Sequence, residues 1–197
     1  MALDTSYDLR RSIIYCVYVR NFSQEGTFAG VIPQLDRLKA LGVDYIWLLP
    51  IHPLGVDKRK GSLGSPYAIQ DYRAVNPEYG TLTDFEALCQ AIHERGMKVM
   101  IDVVYNHTSP DSVLVKTHPE WFYYKSDGKR GNRVGEWTDI VDLDYQDRGL
   151  WDYQIESLQY WAHYVDGYRC DVASMVPVDF WREARKAVAQ VKDDFLW

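Results

Sequence analysis

Cysteine is scarce in this sequence, with only three in 197 residues, at positions 16, 89 and 170. An odd count at such wide spacing excludes a disulfide scaffold and the clustered pairs of a structural zinc site. Each lies in an apolar segment, so all three are expected to be buried free thiols. Basic charge is the minority: 22 Lys and Arg stand against 28 Asp and Glu, and the formal net charge is −6. No basic stripe exists to neutralise a phosphate backbone, so nucleic acid is not an expected partner. Long hydrophobic runs are absent as well. No stretch approaches the roughly 18 apolar residues of a membrane span, and Met1 to Arg11 lack a charged start followed by an apolar run. A soluble, cytoplasmic protein with no membrane partner is the expectation. What the chain does have is 47% apolar and 14% aromatic residues, enough for the core of one ordinary domain.

Strand and helix patterns alternate along the chain. Ile13 to Val19 reads as a strand, followed by helical spacing of Val31, Leu35 and Leu38, which Gly42 ends. Tyr45 to Leu49 is a continuous apolar strand of the kind buried on both faces. Thr83 and Glu86 have capping-box spacing, and Phe85, Leu88, Cys89 and Ile92 form the buried stripe of the helix that Gly96 stops. Lys98 to Val104 reads as the third strand, after which periodicity disappears for about forty residues. Trp151, Ile155, Leu158, Ala162 and Val165 restore helical spacing, Tyr168 to Asp171 forms a short strand, and Phe180, Ala184, Ala187, Val188 and Val191 mark another helix. Phe195 to Trp197 begins a fifth strand. Alternation of this kind predicts βαβ units around a parallel sheet, and the pattern leaves a barrel and a doubly wound sheet both open. The insertions, residues 50 to 80 and 106 to 148, follow C-terminal strand ends, the active-site face of a (β/α)8 barrel.

The same strand ends carry the polar chemistry. Asn106 and His107 close the third strand, and Arg169 and Asp171 the fourth, so the four should meet on one rim. Any one of them alone has an ordinary structural reading as a helix cap or a satisfied core residue. Four on adjacent strands point to a site.

Asp102 to His107 and Gly167 to Asp171 resemble the first two signature regions of the α-amylase family, glycoside hydrolase family 13. Gly64 to Tyr72 and Asn76 to Thr81 are similar to the loop after that family's second strand, so the resemblance spans essentially the whole chain. It implies an α/β fold, a partial (β/α)8 barrel of strands one to five. Residues 1 to 105 would form its first part, 106 to 148 a domain B-like insertion and 149 to 197 the continuation. It further implies Asp171 as nucleophile, with Arg169 orienting it and keeping it ionised. His107 would hydrogen-bond the sugar, Tyr67 stack on it and Asp102 support the site from the strand. The expected activity is retaining cleavage of α-linked glucans or maltooligosaccharides, first of α-1,4-glucan, with α-glucosidase or glucanotransferase activity next. A non-catalytic amylase-like binding subunit is the alternative of a different class, and the joint presence of Asp171, Arg169 and His107 argues against it. No cofactor is expected. Asn106 and Asp144 match positions that hold calcium in calcium-binding members, but Ser174-Met175 stands where a Lys-His pair follows the nucleophile in those members, and Met is a poor ligand for a hard cation. The family's general acid follows strand five and is expected beyond Trp197, so the 197 residues alone are expected to be inactive and to self-associate through open sheet edges.

The aromatics of the second insertion divide on the same reasoning. Trp151 and Trp161 lie on a helix stripe and are expected in the core, whereas Trp121 and Trp137 can serve either burial or a sugar. The charged, glycine-containing stretch from Lys125 to Arg133 reads as a solvated turn.

Overall fold

The computed structural model describes residues 6–197; Met1 to Thr5, the start of the segment read above as lacking an export signal, lie outside the described residues. In chain order the elements are α1 (Tyr7–Arg11), β1 (Ile14–Val17), α2 (Val19–Phe22), α3 (Phe28–Val31), α4 (Leu35–Ala40) and β2 (Tyr45–Leu48). Then come α5 (Leu82–Glu94), β3 (Lys98–Val103), β4 (His107–Thr108), α6 (Val113–Thr117), β5 (Val141–Asp142), α7 (Arg148–Ala162), β6 (Gly167–Cys170) and α8 (Val178–Ala189).

β1, β2, β3 and β6 form one parallel sheet in that order, and β4 pairs antiparallel with β5 in a small separate sheet. Each new strand of the parallel sheet joins the same edge, with no reversal of order of the kind that divides a doubly wound sheet. The strands therefore belong to a partial (β/α)8 barrel. A fifth parallel neighbour begins at Leu196, whose N–H donates to Asp166 O at 3.0 Å and whose carbonyl accepts from Tyr168 N at 2.8 Å.

The period of two along each strand separates the faces. Val17, Ile46, Leu48, Val99, Ile101, Val103 and Tyr168 are fully or almost fully buried on the side where Phe85, Leu88 and Ile92 of α5 and Leu158 and Trp161 of α7 also lie in the core. Burying a side chain of this size contributes about 1.5–3 kcal/mol each, so this face supplies most of the cohesion. The register places Cys16 beside Trp47, Trp47 beside Met100 and Asp102 beside Arg169 on the other face, inside the barrel curve.

Four details differ from the sequence expectations. The first strand ends at Val17, and Val19 begins the single-turn α2. The first long helix is broken into α3, a 3₁₀ turn at Ile32–Gln34 and α4, because Pro33 has no N–H to continue the ladder. The α5 cap lies two residues earlier than the Thr83 spacing suggested: Thr81 Oγ1 accepts from Asp84 N at 3.2 Å, and Asp84 Oδ2 accepts from Thr81 N at 2.7 Å. Thr81 has the extended backbone an N-cap needs, and Asp at the third position closes the box as Glu would. Of the three thiols only Cys89 is buried; Cys170 is intermediate and Cys16 exposed, since its strand position turns it to the inner face. Gly42 and Gly96 end their helices with φ of 82° and 63°, the left-handed conformation that glycine adopts without strain.

Candidate active site

The register of β3 and β6 places Asp102 directly beside Arg169, and the alternation that turns both inward also carries Asp171 to the same rim. Arg169 Nη1 donates to Asp102 Oδ1 at 3.0 Å and to Asp171 Oδ1 at 2.5 Å, so one guanidinium nitrogen bridges two carboxylates. Its Cζ lies 5.2 Å above the Trp47 ring, which gives the cation an aromatic floor. Asp102 is fully buried; burial pushes its carboxyl up to about 6 against the downward pull of Arg169. For Arg169 burial works against the charge, but the bonds to Asp102 and Asp171 outweigh it and hold the guanidinium above its ordinary range.

Tyr67, from the first insertion, donates its hydroxyl to Asp102 Oδ2 at 3.4 Å. Burial and then the Asp102 charge raise the phenol, so it stays neutral. His107, on β4, is 4% exposed; burial lowers its pKa although Asp171, Asp142 and Asp139 pull the other way, so the imidazole is neutral near pH 7. The backbone of this segment is pinned by Tyr72, whose hydroxyl lies 2.7 Å from the carbonyl oxygens of both Val104 and His107. Directly after Asp171 the chain turns at Val172 with φ 40° and ψ 41°. A β-branched residue in the left-handed region is strained, and such strain gathers at functional sites.

Of these groups Tyr67, His107 and Asp171 line a cleft of about 310 Å³, together with Lys60, Trp137 and Asp139. Lys60 Nζ reaches Asp139 Oδ1 at 3.1 Å, tying the first insertion to the second across the cleft. Trp137 sets its ring 5.6 Å from that of His107, whereas Trp121 is buried and stacked on His118 at 3.7 Å. Of the two tryptophans that could serve a sugar, only Trp137 faces the cleft. The structure thus brings Asp171, Arg169, Asp102, Tyr67 and His107 together. Lys60, Trp47 and Asp139 were missed in the sequence because each lies in an unremarkable apolar or charged stretch. Nothing but tertiary contact brings them to the site.

The two positions matched to calcium ligands behave differently. Asn106 and Asp144 line one hollow together with Met175, but Asp144 Oδ1 accepts from Gln146 N at 3.2 Å, and the carboxylate beside Asn106 is Asp142, with Nδ2 to Oδ1 3.4 Å. The Arg133 guanidinium enters the same hollow, with Nη1 3.4 Å from both Asp142 Oδ2 and Leu143 O. No group of three or more His, Cys, Asp or Glu side chains suited to a metal ion occurs among the described residues. The residues present do not fit a calcium site, because a cation of the chain's own stands there.

A partial parallel β/α barrel that gathers two carboxylates on one arginine at its strand ends, beside an aromatic and histidine-lined cleft, carries its polar groups on the face where barrels place their sites. The family model described as the α-amylase catalytic domain matches residues 16–134. Among solved structures, an α-amylase from Lactobacillus plantarum is 61% identical with a TM-score of 0.95 over 96% of this chain and 45% of its own. A noncanonic maltogenic α-amylase from Thermotoga neapolitana is 44% identical with a TM-score of 0.86, over 93% of this chain and 44% of its own. Among curated relatives, an α-amylase from Haloarcula japonica is 32% identical over 94% of this chain and 28% of its own length. The chain belongs to the α-amylase family. It spans less than half the length of these relatives.

Proposed function

We propose that Asp171 is the nucleophile of a retaining enzyme that cleaves α-linked glucans or maltooligosaccharides, α-1,4-linked ones first. The observation that supports this reading best is the single Arg169 nitrogen bonded to both Asp102 and Asp171 beside the cleft. Held this way, one Asp171 oxygen is fixed by Arg169 while the other is left for the anomeric carbon. In the first step that oxygen bonds to the anomeric carbon as the glycosidic C–O bond breaks, and the departing oxygen takes a proton from a carboxylic acid. In the second, the same group takes a proton from water, whose oxygen bonds to the anomeric carbon and releases Asp171. The two carboxyls of such a site stand about 5–5.5 Å apart. By the family resemblance the acid belongs to the part of the barrel that these 197 residues do not span.

Neutral His107 and Tyr67 line the cleft beside Asp171 and present uncharged rings to it, which suits recognition of a sugar. Trp137 supplies an apolar wall to a sugar face. The full-length protein, treated with an activated fluoro-glucoside that forms a slowly hydrolysed glycosyl ester, is expected to carry the label on the peptide containing Asp171. A label on another carboxylate overturns the assignment. The products formed from maltoheptaose, with and without a sugar acceptor, separate hydrolysis from transfer.

A further inference from the structure

We infer that Arg133 takes the place of a divalent cation at the root of the second insertion, and that it positions His107 through Asp142 and Asn106. Asp142 is fully buried on β5, opposite His107 in the β4–β5 register. A carboxylate that deep requires a cation or a full set of donors. Arg133 supplies the cation and the donors to one oxygen: its main-chain N–H donates to Asp142 Oδ2 at 2.8 Å, and its Nη1 lies 3.4 Å from the same oxygen and from Leu143 O. The guanidinium is seated over the Tyr123 ring at 4.3 Å, which fixes its plane. From Asp142 the chain of contacts runs to Asn106 Nδ2 at 3.4 Å and from there to His107 Nδ1 at 3.1 Å. His107 itself lines the cleft. Arg133 is therefore a positioning residue, reaching the site through two intermediaries.

Without the guanidinium, the Asp142 carboxylate, the Asn106 side-chain oxygen and the Leu143 carbonyl would be an oxygen set with a net negative charge, the chemistry a hard divalent cation prefers. The test uses the full-length protein and its Arg133→Lys, Arg133→Met and Arg133→Met/Asp142→Asn variants, melted in EDTA and in millimolar calcium chloride, a metal that binds only the folded state raising Tm. The parent and Arg133→Lys are expected to melt at the same temperature in both solutions. Arg133→Met should lose about 5 °C in EDTA and recover most of it in calcium, with a KM for maltooligosaccharides that follows the same recovery. The double variant, with no buried charge to neutralise, should ignore calcium. A parent that loses stability in EDTA overturns the inference, and so does an Arg133→Met variant that melts like the parent or ignores calcium. If Arg133→Met does not fold at all, a folded double variant supports charge compensation, and a double variant that also fails to fold refutes it. The inference stands independently of which residue is the nucleophile.

Discussion

The two ends of β3 and β6 carry the same kind of cluster, a carboxylate against basic side chains, yet the two are built to opposite purposes. At the N-terminal end Asp166 accepts from Val99 N at 2.8 Å, pairs with His93 Nε2 at 2.7 Å and with Lys192 Nζ at 2.8 Å. Burial alone would raise its carboxyl, but the bonds from His93, Lys192 and Val99 N win and hold it far below the usual range. At the C-terminal end two carboxylates share one arginine nitrogen, burial leaves Asp102 raised to about 6, and a cleft adjoins them. A carboxylate saturated with donors locks strands together. One with incomplete donors, next to open space, keeps lone pairs for chemistry.

That contrast is open to direct attack, and the largest effect should come at the cleft end. Asp171→Asn in the full-length protein is expected to lower turnover by on the order of 10⁴-fold with Tm nearly unchanged, because the group serves chemistry more than packing. Steady-state kinetics beside a melting curve decide it, and retained turnover removes Asp171 from its role. Arg169→Lys should follow with a loss of about 10²-fold: an ammonium on a flexible stem does not hold both carboxylates and lie flat on Trp47. If the lysine variant turns over as the parent does, the bridge is electrostatic ornament.

At the opposite end the readout should switch. Asp166→Asn is expected to cost about 2 kcal/mol in urea unfolding at pH 7 while kcat of the folded fraction is kept. Because the folded-state pKa of Asp166 is depressed, its stabilisation is complete above the unfolded carboxylate range of about pH 4 and is lost as pH falls through the lower folded value. The parent and the variant should thus converge in acid; a gap that persists there would mean that the aspartate acts through shape rather than charge. The smallest effect belongs to His107→Ala, a loss of about tenfold in kcat/KM for one hydrogen bond, and a loss equal to that of Asp171→Asn would break the ranking.

Much of this was legible in the residues. The buried face of the sheet and the α5 stripe of Phe85, Leu88, Cys89 and Ile92 follow from periods of 2 and 3.6, since repeated apolar spacing has one low-energy solution. Asp102, His107, Arg169 and Asp171 could be read as one rim because strand ends of a parallel sheet converge. The α5 cap was misplaced by two residues because Thr81-Asp84 and Thr83-Glu86 offer the same local chemistry, and the backbone entering the helix chose between them.

The sequence alone therefore determined the alternation of strands and helices, the family and the polar rim, all of which rest on local periodicity and short motifs. The tertiary structure alone decided that Lys60 meets Asp139, that Asn106 faces Asp142 rather than Asp144, that Trp137 and not Trp121 lines the cleft, and that Arg133 enters the hollow where a cation would lie. Each of these contacts involves a residue of the second insertion, which has no repeating pattern. Their geometry comes from how that loop folds back on the strand ends, which no local spacing encodes.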